Sequence, residues 1–173
     1  MANCILKSYD ARNAKKYGKE MTDVQKIIML VSDPLVHCEF QFSHRHGFVS
    51  HSATMQDKDG FDGSRFRNIN YCKHPERWLD LILPMTDAQE DRGYARAVEI
   101  NGMPYDKIGV TSLATGWNII QPDPDALWCS EDDAEIIKAA YEYGDDFVPD
   151  KFAPLGLFFE MYRRTTLPER NAE

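Results

Sequence analysis

The clearest hydrophobic pattern in the chain is an alternation of apolar and polar residues from position 35 to position 42. A period of two places successive side chains on opposite faces of a β-strand. One face of this strand carries Val36, Cys38, Phe40 and Phe42, and the other carries His37, Glu39 and Gln41. The polar face is the first candidate for chemistry, because a histidine and a carboxylate share it.

Other segments predict the remaining elements. Apolar runs predict further strands over 26–32, 48–54, 66–71 and 77–83, whereas residues 1–25 give no clear pattern. Capping-box spacing at 86–89 predicts a helix to position 100, and a short helix is expected over 106–114. Asp123 or Asp125 is expected to cap a helix that ends near 143, and the apolar segment 152–161 should pack on the core. The predicted fold class is α+β, with one domain over 1–173 and a small antiparallel β-sheet packed against helices.

The strands over 35–42 and 48–54 flank a short loop that contains Gly47, which predicts a β-hairpin. In an antiparallel pair, the residue numbers of directly opposed residues add up to a constant sum. If that sum is even, His37, Glu39 and His51 project from one face of the sheet, where diagonal neighbours lie roughly 7–8 Å apart. His51 is then expected to hold His37 in orientation, and Glu39 is the competing candidate for that role.

Cys129 lies in Trp128-Cys129-Ser130-Glu131, at the opening of a predicted amphipathic helix. A helix N-terminus and a nearby imidazole both favour the thiolate, which is the reactive form of cysteine. The acidic residues 131–133 oppose this effect, and they are expected to turn toward solvent. Cys129 and His37 are therefore the candidate nucleophile and base of a thiol hydrolase.

Composition and charge limit the classes of partner. The 173 residues carry a formal net charge of −8, which argues against nucleic acid or an anionic membrane surface as the main partner. No apolar run is long enough to span a bilayer and no signal pattern precedes the chain's first strand, so a cytoplasmic location is expected. The four cysteines are then expected to be free thiols, and neither a cofactor nor a metal is expected in the thiol site.

Several short motifs resemble segments of the NlpC-type cysteine peptidases and amidases. These are the strand pair that carries His37 and His51, the segment Gly102-Met103-Pro104-Tyr105-Asp106, and the Cys129-Ser130 helix start. Ordinary members of that family have the cysteine first, whereas here the histidine comes first, as in the circularly permuted, papain-like branch. The resemblance covers residues 27–160 and implies a permuted papain-like catalytic domain.

The resemblance also implies a role for each matched residue. Cys129 is the nucleophile, His37 is the general base, and His51 is the third residue, which orients the base. Tyr105 lines the substrate site and helps to hold the oxyanion. The permuted branch often has a glutamate in the third position, so Glu39 stays open as an alternative and as a substrate-binding residue. The implied substrate is peptide-like or acylated, cleaved at an amide, peptide or acyl-ester bond.

Two other functions remain open at this point. A zinc site is one, because His44, His46, Cys72 and His74 supply enough ligands, although their one-residue spacing fits no common zinc finger. The other is an NlpC-like binding module that lacks thiol reactivity.

Overall fold

A computed structural model of the chain describes residues 2–16, 18, 20–55, 60–115 and 123–166. These residues form a five-stranded antiparallel sheet and six α-helices, which confirms the expected α+β class. The strands are β1 (Ala2–Asp10), β2 (Leu35–Gln41), β3 (Ser50–Thr54), β4 (Gly63–Arg67) and β5 (Trp78–Met85). The helices are α1 (Ala11–Lys16), α2 (Asp23–Ser32), α3 (Asp87–Ile100), α4 (Lys107–Thr115), α5 (Cys129–Tyr141) and α6 (Pro154–Thr166).

The strand order is β4-β3-β2-β1-β5, so β1 lies inside the sheet although its sequence gave no clear pattern. It pairs with β2 through Ser8 and Cys38, and with β5 through Leu6 and Leu81. Lys7 and Ser8 are adjacent in the sequence and both buried, one on each face of the sheet. The expected alternation of apolar and polar residues is lost there, which is why a period-two search does not find this strand.

The strand predicted over 26–32 is wrong, because this segment lies in α2. The helix begins with a capping box, in which the backbone N–H of Gln25 donates to Thr22 Oγ1 at 3.2 Å. The N–H of Thr22 donates in return to Gln25 Oε1 at 3.0 Å. Ile28 is buried while Leu30 is 74 % exposed, so the apolar run covers more than one face of the helix. A short apolar run does not distinguish a strand from a helix, whereas the capping box at Thr22 and Gln25 favours a helix.

The core lies between one face of the sheet and the helices, with α5 packed against β2, β3 and α3. The predicted capping box at Thr86 is confirmed, since the N–H of Gln89 donates to Thr86 Oγ1 at 3.2 Å. Gly93 lets α3 approach α5 closely, because a Cβ at this position would lie 3.2 Å from the Cβ of Ala140. None of the described helices combines the length and the apolar character needed to cross a membrane.

The helix that carries the candidate nucleophile starts later than a cap at Asp123 or Asp125 would require. Its N-cap is Trp128, whose side chain makes no capping hydrogen bond. The Trp128 indole is buried instead, and its Nε1–H donates to Ser130 Oγ at 3.1 Å. Cys129 is consequently the first residue of α5, as its position in the sequence suggested.

Candidate active site

The first turn of α5 lies against the edge of β2. The backbone N–H of Phe40 donates to Asp133 Oδ1 at 3.0 Å, and the backbone N–H of Cys38 donates to the sulfur of Cys129. Cys129 and Asp133 are four residues apart and therefore share one face of the helix. The carbonyl of Cys38 accepts from Ser52 Oγ at 2.7 Å. Side chains thus form the hydrogen bonds with backbone groups of β2 that a neighbouring strand would form if the ladder were longer.

The ladder between β2 and β3 is accordingly short and contains the pairs Phe40 with His51 and Gln41 with Ser50. Beyond these pairs, the start of α5 occupies the edge of β2. This placement brings the Cys129 sulfur into side-chain hydrogen-bonding contact with His37, although His37 and Cys38 project from opposite faces of the strand. Cys129 and His37, the candidate nucleophile and base, are thus neighbours in the structure.

The thiol and the imidazole favour the ion pair over the neutral forms. A hydrogen bond from the Cys38 thiol lowers the pKa of Cys129, burial opposes this effect, and the charge and hydrogen bond of His37 lower the pKa further. For His37, burial alone would lower the pKa, but hydrogen bonds with Cys129 and Glu39 outweigh it and raise the pKa to about 10. Both pKa shifts favour the thiolate of Cys129 and the imidazolium of His37, which together are the reactive combination.

Glu39 is the residue that holds His37 from behind. His37 Nε2 lies 3.1 Å from Glu39 Oε1, and the carboxylate also accepts hydrogen bonds from Arg67 and from the hydroxyl of Tyr71. The Tyr71 hydroxyl lies 2.6 Å from Ser50 Oγ, which extends the network into β3. Burial alone would raise the pKa of Glu39, but His37 and Arg67 outweigh it and lower the pKa. Glu39 is thus a buried, ionised carboxylate that fixes the imidazole.

The expectation that His51 faces His37 is wrong in geometry. Phe40 lies directly opposite His51, so the residue numbers of opposed residues add up to an odd sum and not to an even one. His51 therefore projects from the inner face of the sheet together with Phe40. Two successive left-handed residues, Gly47 with φ 69° and Phe48 with φ 56°, form the connecting turn and set this register. A non-glycine residue at positive φ is rare, and nothing in the sequence marks Phe48 as one. A shift of one residue moves a side chain to the other face of the sheet.

His51 has a different partner. Its Nδ1 lies 2.8 Å from Asp132 Oδ1, and both side chains are fully buried between β3 and α5. The ring of Phe66 packs edge-on against the His51 ring, with 4.7 Å between the ring centres. His51 therefore joins β3 to the nucleophile helix and does not touch the base.

The acidic residues 131–133 do not turn toward solvent as expected, because all three are buried. Asp132 binds His51, and Asp133 accepts a hydrogen bond from the Phe40 N–H and contacts the Cys38 thiol. Burial raises the pKa of Glu131 to about 8 and raises the pKa of Asp133 well above its usual value. Burial thus favours the protonated forms of Glu131 and Asp133, which limits their negative charge near the thiol without exposure to solvent.

A cavity of about 680 Å³ opens beside His37. Residues of α2 and its N-terminal flank form one wall, among them Met21, Val24 and Ile28, and the sheet contributes His37, Glu39, Arg67, Tyr9 and Trp78. Tyr105, expected to line the site, is buried and lies on the cavity wall. Burial raises the pKa of Tyr105, and the negative charge of Cys129 raises it further, so the phenol stays protonated beside the thiolate. Cys129 itself is 1 % exposed.

The zinc alternative gains no geometric support. No group of three or more histidine, cysteine or acidic side chains able to hold a metal ion is found among the described residues. His46 stacks on Tyr94, with 4.1 Å between the ring centres, and its Nε2 lies 3.3 Å from Asp91. His74 Nδ1 lies 3.4 Å from Glu76 instead.

Sequence reasoning missed three residues of the site. Arg67 and Tyr71 bind the Glu39 carboxylate, and Cys38 contacts the nucleophile through both its backbone N–H and its thiol. Strand alternation assigns Cys38 to the apolar face, where a small buried hydrophobe is the ordinary interpretation. Its position next to His37, on the face toward which α5 must pack, was the available signal.

Comparison of the chain with protein-family models, with curated proteins and with solved structures found no match. The geometry of the site is therefore the basis for a functional proposal.

Proposed function

We propose that this chain is a thiol hydrolase that cleaves an amide, peptide or acyl-ester bond through an acyl-enzyme. One observation carries the proposal: the His37 imidazole contacts the Cys129 sulfur, with Glu39 behind it and a cavity beside it. A thiolate and an imidazolium in contact form an activated nucleophile with a proton donor at hand.

The mechanism follows from these positions. Cys129 Sγ attacks the substrate carbonyl and forms a C–S bond, and the His37 imidazolium gives its proton to the leaving group. Neutral His37 then takes a proton from the water that attacks the acyl-enzyme, and the thiolate leaves as the acid product forms. The backbone N–H of Cys129, at the start of α5, stabilises the oxyanion together with the Tyr105 hydroxyl.

We assign the third position to Glu39 and not to His51. Glu39 contacts His37 directly at 3.1 Å, whereas His51 is paired with Asp132 on the other face of the sheet. A carboxylate that holds the imidazole stabilises the imidazolium and keeps its orientation. A strand histidine that precedes the helix cysteine, with a glutamate in third position, supports the permuted papain-like arrangement as the finer description of the fold.

The cavity supports an acyl or peptidyl group as the part of the substrate that is recognised. The lining of the cavity includes the apolar Met21, Val24 and Ile28 as well as the polar His37 and Glu39. The cavity therefore offers apolar surface for a hydrocarbon portion and polar groups for the bond that is cleaved. A reducing compartment such as the cytoplasm suits the proposal, because all four cysteines are free thiols.

Labelling with acyl electrophiles followed by turnover assays tests the proposal. We expect an acyloxymethyl ketone to modify Cys129, and p-nitrophenyl esters to give a burst of product followed by steady turnover. The His37→Ala variant should lose both, whereas Cys72→Ser, which changes an exposed cysteine, should keep both. Equal labelling of Cys129 in the wild type and in His37→Ala would contradict the proposal.

The burial of Cys129 favours one competing function, a binding module that keeps the site without turnover. A substrate carbonyl reaches the sulfur only if the side chains around it move. A stoichiometric complex with the ester and no release of acid would identify the binding module.

A further inference from the structure

We propose that Cys38 and Cys129 are an oxidation site: a hydroperoxide oxidises Cys129, and Cys38 converts the product into a reversible disulfide. This inference goes beyond the hydrolase proposal and does not depend on turnover. It rests on the contact between the two thiols at the junction of β2 and α5.

The contact is fixed by the backbone and not only by flexible side chains. The N–H of Phe40 donates to Asp133 Oδ1 at 3.0 Å, which fixes the face of α5 that carries Asp133 and Cys129 against β2. This packing places Cys129 beside Cys38, whose backbone N–H and thiol both lower the pKa of the Cys129 thiol. Cys38 and Cys129 are both buried and belong to the same core cluster.

The two thiols differ in how readily they ionise. His37 lowers the pKa of Cys129, which favours the thiolate, and the thiolate is the form that attacks peroxides. Cys38 is protonated, since burial and the hydrogen bond to Cys129 keep its pKa well above the usual value. Its thiol also contacts the Asp133 carboxyl group. Cys4 is buried beside Glu90 and Cys72 is exposed, so neither replaces Cys38 in this pair.

The chemistry balances in two steps. The Cys129 thiolate attacks the hydroperoxide, an S–O bond forms, the O–O bond breaks, and the alkoxide takes the His37 proton to leave as the alcohol. Cys38 then attacks the sulfenic sulfur, the S–S bond forms and the S–O bond breaks. Hydroxide leaves with the Cys38 proton as water. The peroxide gains the two electrons that the two sulfurs lose, and an external dithiol restores both thiols.

The experiment treats the reduced, full-length protein with hydrogen peroxide, blocks the remaining thiols with N-ethylmaleimide, and maps peptides without reduction. We expect a cross-linked peptide pair that contains Cys38 and Cys129, an intact mass that is lower by two hydrogen atoms before the blocking step, and full reversal by dithiothreitol. In the Cys38→Ser variant the cross-link should vanish, and Cys129 should proceed to sulfinic and sulfonic acids. The matched control Cys72→Ser should behave as the wild type does.

Loss of the Cys129 thiol in the wild type without the cross-link would overturn the inference, as would cross-links to Cys4 or Cys72. If the Cys38→Ser variant does not fold, the Cys38→Ala variant takes its place. The cross-link in the wild type then still shows whether Cys38 forms a disulfide with Cys129. The readout is mass and not activity, so failure here is distinct from failure of the hydrolase proposal. A protein that forms the disulfide but turns over no ester would support this inference alone.

Discussion

Two histidine–carboxylate pairs lie on opposite faces of the same sheet, and they differ mainly in their surroundings. In one pair, His37 Nε2 lies 3.1 Å from Glu39, and in the other, His51 Nδ1 lies 2.8 Å from Asp132. The His37 side chain is 17 % exposed and lines a cavity, while the His51 side chain is fully buried. Of these two histidines, His37 is the one that contacts Cys129. A histidine–carboxylate pair is therefore not an active site by itself. It also needs a nucleophile in contact with the histidine and a cavity through which a substrate can reach it.

The largest expected effect is on the turnover rate, and it distinguishes the pair of His37 and Glu39 from the pair of His51 and Asp132. Replacing His37 with Ala should lower turnover of an activated ester by about 10²–10⁴-fold, because the general acid–base group is lost. The thermal midpoint should fall as well, because the stability contributed by the paired His37 imidazolium is lost, although Glu39 keeps Arg67 and Tyr71 as partners. Steady-state kinetics and a thermal melt measure both quantities. A turnover rate that survives in His37→Ala would remove the distinction between the two pairs.

The next effect should appear in stability. His51→Ala leaves Asp132 buried without its partner, and breaking a buried pair in this way costs about 3–5 kcal/mol of unfolding free energy. Urea unfolding measures this loss, and the molecules that stay folded should still react at Cys129. The double variant His51→Leu with Asp132→Leu should recover much of the stability, since apolar replacements of a buried pair are often neutral. If the His51→Ala variant is folded but inactive, His51 has a catalytic role after all.

A smaller effect tests the assignment of the third residue. Glu39→Gln keeps the shape of the side chain but removes the charge that stabilises the His37 imidazolium. The loss of a charge-assisted hydrogen bond, about 1.5–3 kcal/mol, should lower turnover on the order of ten- to a hundredfold. The Asp132→Asn variant is the matched change in the other pair and should leave kcat unaltered among folded molecules. If Asp132→Asn is the more damaging of the two at equal stability, Glu39 is not the third residue.

The mildest effect is in the pH dependence of stability. The folded pKa of His37 is raised to about 10, so its contribution is complete below about pH 6.5 and is lost as pH rises through 10. The folded pKa of Cys129 is lowered, so its contribution is present above about pH 8.5 and is lost as pH falls. Together they predict a maximum between these limits, with slopes of at most about 1.4 kcal/mol per pH unit. Urea unfolding of wild type and His37→Gln across pH should show a flatter curve in the variant.

The same ion pair sets the reactivity at low pH. Near pH 6, iodoacetamide should modify Cys129 before Cys4, Cys38 or Cys72, and His37→Ala should erase this preference. Peptide mapping at short reaction times measures the order of modification. Uniform labelling of the four cysteines would mean that the thiolate is absent.

Features governed by local sequence were predictable, and those governed by packing were not. The alternation in β2 and the capping box at Thr86 each lie within a few residues, and both predictions are confirmed. The prediction for α2 failed because an apolar run suits a helix as well as a strand. The face of His51 depended on one residue of register, which the turn at Phe48 decides.

The candidate site divides in the same way. The meeting of His37 with Cys129 was foreseeable, since a helix-start thiol and a strand histidine point to one chemistry. The roles of Arg67, Tyr71 and Cys38 were not foreseeable, because each depends on which residues of other elements lie opposite Glu39 and Cys129. Burial of the acids 131–133 likewise depends on how α5 lies against β2 and β3.

The contact between Phe40 and Asp133 joins residues 93 positions apart, and it has a consequence for folding. Contacts of such long range form late, since a large loop must close before they contribute. Until α5 docks on β2, Cys129 has neither His37 nor Cys38 beside it and reacts as an ordinary thiol. A growing chain therefore carries no activated nucleophile, and the appearance of fast alkylation at Cys129 can serve as a kinetic marker for the final docking step.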